Sequence, residues 1–358
     1  QEQSIATRPY DKVKGLLPGL LTTLFIAGIS FVTWWFLKGT WLKFSALLWA
    51  FIFSIIIVNL RPAFFEGAVK SGVDFSSTRL LRFAIAALGL TVNAAVWLKL
   101  GGAGIAMVLI TLLIVFFFGL FFCRNILKLS HPLSLLISAG TAICGASAIA
   151  AVGPAVKAKA EEMGLSVAAI TLFGLLAMFG YPLLYDGFLS GFLAGDPLAF
   201  GMWTGTGIHE TAQVIAAASQ VDNSLSIASS AKCIRIFMIG PMVIVSLLLF
   251  RRLSGREEKG QVKIAVPWFA VFFVIFTVVH YLLSSSGIGN SWNSFNSTWL
   301  SPIITFLLAW AFAGIGLKVK ISTIRAMGLK AFFGGMAVSV FAGMASLLLV
   351  KYLWMTFN

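Results

Sequence analysis

His209 and Glu210 stand side by side in the stretch GTGIHETAQVIAA, Gly205 to Ala217, inside strongly apolar surroundings. Ionisable groups placed there are costly unless they face a cavity, a partner or a proton path, so either side chain could carry a coupling proton. Gln213 lies four residues after His209, on the same face if the stretch is helical. A zinc protease of the HExxH type would need histidine at position 213; the glutamine removes that reading. Further on, AKCIRIF holds Lys232 and Arg235 three residues apart, again on one helical face. Two cations facing a cavity attract an anion, and the planar fork of Arg235 suits an oxyanion such as sulfate or a carboxylate. The structural alternative is an Arg235–Glu210 pair that locks two helices. Both readings are compatible, because an ion pair can open when a substrate arrives.

An earlier stretch, GTAICGASAIAA from Gly140 to Ala151, shares the Gly-Thr-x-Ile opening and the Ala-Ala close but has no His-Glu pair. Gly140, Gly145, Gly205 and Gly207 lower the cost of leaving helical geometry. Interrupted helix ends expose N–H and C=O groups that bind ions, and Thr141, Ser147 and Thr206 add hydroxyls. Close helix packing through small residues is the structural alternative. The candidate substrate-binding residues are Gly140, Thr141, Cys144, Gly145, Ser147, Gly205, Thr206, Gly207, Gln213, Lys232 and Arg235. His209 and Glu210 are the candidates for ion coupling. No metal site is expected, and no cofactor beyond a coupling proton or sodium ion.

The elements that position these residues are membrane helices. Of 358 residues, 59% are hydrophobic and 11% charged, far from the balance of a soluble domain. Apolar runs of about twenty residues match the hydrocarbon thickness, and the ten-residue alternation of a β-barrel is absent. The fold class is an all-α polytopic membrane protein, treated as a single integral transporter domain. Residues 16–60 would form a scaffold, 80–250 a core with both glycine-broken segments, and 264–354 the remaining helices. The net charge of +14 reflects Lys and Arg in short loops, where orientation signals sit, so the lipid bilayer is the partner and nucleic acid is not. Cys123, Cys144 and Cys233 lack zinc or disulfide spacing.

Nine spans are expected: Leu16–Leu37, Phe44–Leu60, Leu80–Leu98, Gly104–Phe122, Ser166–Tyr185, Ile227–Phe250, Ile264–Leu283, Trp299–Leu317 and Ala331–Trp354. Pro132–Gly153 and Leu198–Ala218 hold the motifs. Counting them as crossings gives eleven; treating them as re-entrant leaves nine and returns Lys157 and Lys159 to the cytoplasmic side. The basic loops, Arg61–Arg82, Arg124–Lys128, RRLSGREEKGQVK and Lys318–Lys330, place the N-terminus inside. SSSGIGNSWNSFNST reads as an outer loop. Trp34, Trp35, Trp41, Trp97 and Trp299 mark span ends as interfacial anchors.

The broken stretches also open a repeat. Each leads into an LS-Val/Ile-Ala sequence that begins a span ending near Pro182 or Pro241. ALGLTVNAAVWLKLGG is similarly echoed by GIGLKVKISTIRAMG. Inverted repeats with discontinuous helices, and a substrate site near the midplane, are the mark of secondary transporters.

In GTAICGASAIAAVGPAVKAKAEE, GTGIHETAQVIAAA, AKCIRIFMIGP and RPAFFEGAVKSGVDFSSTRLLRFAIAALGLTV the chain resembles the YeiH-type family of bacterial membrane proteins, which are often labelled sulfate exporters. The resemblance runs from Leu42 to the C-terminus. A broken stretch followed by an ALS-type helix is also similar to the bile acid/sodium symporter-like superfamily, which has two inverted repeats, crossed discontinuous helices, a core domain and a panel domain. Here the two broken stretches lie closer in sequence than in that superfamily. These resemblances imply a multi-pass inner-membrane transporter of a small anion, an oxyanion or organosulfonate, coupled to a proton or sodium, with room for a homo-oligomer. An intramembrane enzyme using His209-Glu210 is the alternative, with an anion channel or a non-transporting sensor behind it.

Overall fold

The computed structural model describes residues 9–37, 44–65, 67, 69–92, 95–254, 267–326 and 328–357. Trp41 and most of RRLSGREEKGQVK lie outside the described residues. The described residues are helical, with no strand among them. The chain opens with α1 (Pro9–Leu37) and α2 (Ala46–Leu60), then α3 (Lys70–Phe75), which runs through a π-helical turn into α4 (Leu81–Leu88). Next come α5 (Ala95–Phe121), α6 (His131–Ala142), α7 (Ala146–Ala155) and α8 (Ala160–Leu184). They are followed by α9 (Pro197–Gly207), α10 (Thr211–Ala218), α11 (Leu225–Phe237) and α12 (Ile239–Ser254). The last part holds α13 (Trp268–Ser284), α14 (Gly289–Phe295), α15 (Ser301–Gly316), α16 (Ile321–Arg325) and α17 (Leu329–Leu349).

Among the described residues, five helical stretches are long and apolar enough to cross a membrane: Gly15–Leu37, Leu100–Ile126, Ala160–Leu189, Gly289–Gly316 and Leu329–Phe357. Leu225–Phe237 and Ile239–Ser254 make a sixth if the pair, bent by 44°, counts as one span. With the shorter α2 and α13 and the helical run through α3 and α4, these correspond to the nine expected spans, although three boundaries differ. The third span is helical from Lys70 and ends at Thr91, not Leu98. Lys70, Asp74 and Arg79 therefore sit on helix rather than in a loop, and Asp74 pairs with Lys318 at 2.9 Å. SSSGIGNSWNSFNST is helical from Gly289 onward. Two of its side chains are held within the fold, where Trp292 Nε1 donates to His280 Nδ1 at 3.0 Å and buried Asn296 donates to Leu90 O, while most of its serines and asparagines are exposed. The span expected over Ile227–Phe250 is broken at Met238, whose residue N–H bonds Arg235 O as the cap of α11.

The helices form two compact units, residues 1–92 with 271–322, and residues 93–270 with 323–358. In the first, α1 and α3 cross where Gly19 meets Gly72; a Cβ on Gly19 would lie 2.7 Å from the Gly72 Cα. Asn59 on α2 bonds both sides of the turn after α15, donating to Val319 O at 2.9 Å and accepting from Ile321 N at 2.8 Å. All the candidate site residues belong to the second unit.

Both motif stretches are helical hairpins. At about 1.5 Å per residue, α6, α7, α9 and α10 each reach roughly 12–18 Å, half of a bilayer core. The Ser130 hydroxyl, at the start of α6, caps Leu133 N and bonds Glu162 in the first turn of α8. The chain thus enters and leaves the first hairpin at one level, and the Cβ position of Gly140 on α6 lies 3.1 Å from Ile149 on α7. The second hairpin closes the same way. The Ser224 hydroxyl, before α11, donates to Ala218 O at the end of α10, and Ser224 O packs on Gly201 near the start of α9. Full-length α8 separates the two entry points, so the hairpins enter from opposite ends. The re-entrant arrangement, not eleven crossings, is the one observed. Cysteines placed at the exposed positions Lys157 and Asp222 should label from opposite faces, with position 157 accessible from the same face as Lys128. Labelling of position 157 from the periplasmic face of intact cells would contradict the hairpin.

Candidate functional site

The hairpin tips meet beside the middle of α8. Gly140 packs on Ile170, while the Gln213 amide donates to Thr171 O at 3.3 Å and lies against Gly174. A Cβ on Gly174 would fall 2.6 Å from the Gln213 amide carbon. Position 174 must therefore be bare for α10 to come this close.

The two breaks match in position and length but not in backbone angles, Ile143 lying at φ −113°, ψ −90° and Ile208 at φ −83°, ψ 147°. Ile143 caps the C-terminus of α6 and Ile208 that of α9; Gly145 caps the N-terminus of α7 and Glu210 that of α10. Each break is three residues long. Gly145 sits at φ 70°, ψ −127°, a region that side chains strongly disfavour. The other candidate glycines have a different role from the expected one. Gly140, Gly205 and Gly207 are helical, and they make room for neighbours instead of allowing the break. A Cβ on Gly205 would lie 2.7 Å from Ala228 O and 2.9 Å from the Ala231 Cβ. Replacing Gly205 with Leu should push α9 off α11 and lower the melting temperature of the purified protein; an unchanged melting curve would show that the approach is not required.

Lys232 and Arg235 of α11 bind these breaks at matched positions. The Lys232 ammonium donates to Ile143 O and Ile208 O, both at 2.9 Å, and to His209 O. Arg235 Nη2 donates to Thr141 O and Nη1 to Thr206 O, both at 2.6 Å. Nε adds Ala142 O at 2.8 Å, and Nη1 adds Ile208 O at 3.1 Å and Gly205 O at 3.2 Å. Both side chains are buried. Three carbonyl acceptors around one amine require three N–H groups, which only the charged form has. The carbonyls concerned are the unpaired C-terminal ends of α6 and α9, which carry the negative poles of the helices. The cations thus lock helices together, and what they grip is backbone.

His209 is not on a common helical face with Gln213, as the spacing alone suggested. The break at residues 208–210 leaves it in a non-helical bend, fully buried, with Nε2 2.6 Å from the Ser339 hydroxyl of α17. Its Nδ1 has no partner among the described residues, and neither does the Thr141 hydroxyl. Thr206 bonds the Ser346 hydroxyl and donates to Met202 O at 2.6 Å. Glu210 begins α10 in a reciprocal capping box with Gln213, and Glu210 N donates to Gln213 Oε1 at 3.1 Å. The Glu210 side chain lies over Gly145, with Oε1 3.1 Å from that glycine's Cβ position. The carboxylate thus begins its own helix, α10, and lies against the N-cap residue of α7. Cys144 is buried in the first break. Ser147 is exposed, and Ala146, Glu210 and Thr211 are half-buried, so the N-terminal side of the crossing is its open side.

A family model described as conserved hypothetical protein 698 matches residues 18–335. The chain belongs to this family, UPF0324. It is 35% identical over 335 residues to a UPF0324 membrane protein of Pseudomonas aeruginosa, covering 90% of each chain. It is 30% identical over 329 residues to the UPF0324 inner membrane protein YeiH of Escherichia coli, covering 91% of this chain and 90% of the relative. A UPF0324 membrane protein of Yersinia pestis is 32% identical over 326 residues, with 88% and 86% covered. No solved structure matches. The names and the helices together make this UPF0324 member a multi-pass protein of the inner membrane.

Several residues around this UPF0324 crossing carry no motif of their own. Tyr181 of α8 stacks on Trp203 of α9 with ring centroids 4.0 Å apart, and Trp203 Nε1 donates to Gly343 O at 2.9 Å. Gly343 joins Ser339 and Ser346 on one face of α17, against the polar side of α9. Their signal in the sequence is a stripe of small residues, Gly335, Ser339, Gly343 and Ser346, at helical spacing.

Proposed function

We propose that this UPF0324 protein is a secondary transporter of a small anion, an oxyanion or organosulfonate, bound on the open side of the crossing. The observation that carries the reading is the charge built into the two hairpin tips. Two helix C-termini and two N-termini meet there, and their opposite partial charges cancel to first order. The side chains then decide the sign. Lys232 and Arg235 supply two positive charges and Glu210 one negative, leaving a net positive site that an anion completes. Because the cations are spent on carbonyls, the anion would meet the N–H groups that begin α7 and α10, with Ser147, Thr211 and the Gln213 amide beside them. Opposed half-helices whose N-terminal ends meet an anionic group are a recurrent transporter design. A thermal-shift screen of the purified protein against sulfate, sulfite, thiosulfate, sulfonates and carboxylates tests this. At least one should raise the melting temperature saturably, and no response across the panel would remove the anion site.

One observation favours the alternative of an intramembrane enzyme: the 2.6 Å contact between His209 Nε2 and the Ser339 hydroxyl has the geometry of a base and a nucleophile. Among the described residues, no third group bonds Nδ1 to orient the ring. On the transport reading the contact only anchors α9 to α17. Ser339→Ala should then retain anion binding, and wild-type protein should resist labelling by a fluorophosphonate; covalent labelling that is lost in Ser339→Ala would favour the enzyme.

A further inference from the structure

Unwound carbonyls and half-helix C-termini are where transporters of this design ligate a coupling sodium ion. In this chain those groups are already taken. Lys232 and Arg235 approach them from the same helix, both buried, and between them bond carbonyls from Thr141 to Ile143 in one hairpin and from Gly205 to His209 in the other. The ammonium has used all three of its N–H groups. We propose that these two side chains are tethered substitutes for a coupling sodium ion, that the site is sodium-independent, and that the coupling charge is a proton carried by Glu210. The second half of this inference rests on the transport reading above.

A sodium ion entering the crossing would have to displace a covalently attached cation from its carbonyls and remain beside the other. The displaced charge would stay buried without acceptors, which is far costlier than leaving it in place. No comparable obstacle exists for a proton. Glu210 is half-buried on the open side, next to exposed Ser147, whereas His209 is sealed in and engaged with Ser339. Among the described residues, the charged and titratable groups that interact with the carboxylate include Lys232 on α11 and Cys144 in the facing break, with His209 adjacent in its own break, Arg235 one turn from Lys232 and Tyr181 of α8 beside Gly207. In the ionised form the Glu210 carboxylate sits at the N-terminus of α10, against Gly145 at the start of α7, as an internal anion. A proton added to its oxygen on one side of the membrane cancels that charge and frees the N–H groups for a substrate anion. Breaking the same O–H bond on the other side returns the proton to water and expels the anion. Anion binding should therefore strengthen as pH falls.

Two measurements test this, and the first needs no substrate. Wild-type protein is titrated with sodium chloride against choline chloride at constant ionic strength, with melting temperature and tryptophan fluorescence as readouts. The two salts should act alike. A sodium-specific, saturable shift would overturn the inference whatever the protein transports. If Lys232→Met folds, its vacated carbonyls should bind sodium, giving a sodium-specific stabilisation that wild type lacks. In the second measurement, proteoliposomes are supplied with radiolabelled sulfate or sulfite under an inward proton gradient or an inward sodium gradient. Uptake driven by protons and indifferent to sodium is expected, and uptake driven by sodium would overturn the inference. Absence of flux under both gradients, with no sodium shift in the first measurement, would defeat proton coupling and the transport reading while sodium exclusion stands.

Discussion

Arg235→Met should be among the most destabilising single substitutions in this chain. The guanidinium satisfies carbonyls at the ends of two different helices, in a place where no bulk water can replace it. Each buried carbonyl left without a donor costs about 1–3 kcal/mol, and here both hairpin tips lose their common anchor. Arg235→Lys should recover part of the loss but not all. An ammonium at this position lacks the planar fork whose Nη1 and Nη2 reach Thr206 and Thr141 while Nε holds Ala142. Melting of purified variants in one detergent measures this, with wild type above Lys and Lys above Met. A Met variant that melts like wild type would mean that the carbonyls find other donors and that the staple is dispensable. Anion binding separates this role from direct substrate contact: in a folded Arg235→Lys protein the anion affinity should fall no further than the loosened hairpin tips explain.

Glu210→Gln should leave a folded protein that binds the anion but cannot accumulate it. The amide is isosteric and keeps an oxygen for the first turn of α10, so the capping box is weakened rather than lost. What disappears is the exchangeable charge. For one proton per singly charged anion, a gradient of one pH unit supports about tenfold accumulation, since tenfold corresponds to about 1.4 kcal/mol. In proteoliposomes with acid outside, wild type should approach that ratio and Glu210→Gln should stop at equality. Counterflow of labelled against unlabelled anion should persist in the variant and become independent of pH. The sign follows from the carboxylate: wild-type binding weakens as rising pH removes the proton, while the amide stays neutral throughout. Accumulation retained by Glu210→Gln would move the proton to another group.

The spans and the two interrupted segments were legible because hydrocarbon thickness and helix geometry leave few alternatives for apolar runs of this length. The re-entrant paths were legible only as one of two schemes. Lys157 and Lys159 are offset in the same loop by Glu161 and Glu162, and the facts that decide between the schemes, Ser130 on Glu162 and Ser224 beside Gly201, are long-range contacts with no local signature. The third span was placed too late because Lys70, Asp74 and Arg79 look like loop residues. They are tolerated on helix because an ion pair such as Asp74–Lys318 and long side chains carry charge out of the hydrocarbon. At the crossing, residue types pointed to the place where the two hairpin tips meet, with a partly different role for the cations. Lys232 and Arg235 read as ligands for an incoming anion, and their three-residue spacing fits one face equally well when the acceptors are backbone carbonyls. Carbonyls are invisible to a reading of side chains. The break itself was located to within a few residues by the glycines, yet only Gly145 has a backbone that needs one. Gly140, Gly205 and Gly207 are there to admit neighbouring chains, which looks the same in sequence.

Flux through the purified protein tests the central claim most directly. Proteoliposomes with acid outside would be offered labelled sulfate, sulfite, thiosulfate, a sulfonate and a carboxylate, with Arg235→Met and empty vesicles as controls. The account predicts saturable uptake of at least one of these anions, above its equilibrium level while the pH gradient lasts and unchanged when sodium replaces choline. Uptake of none of them by folded protein, or a non-saturating conductance that never exceeds equilibrium, would contradict it.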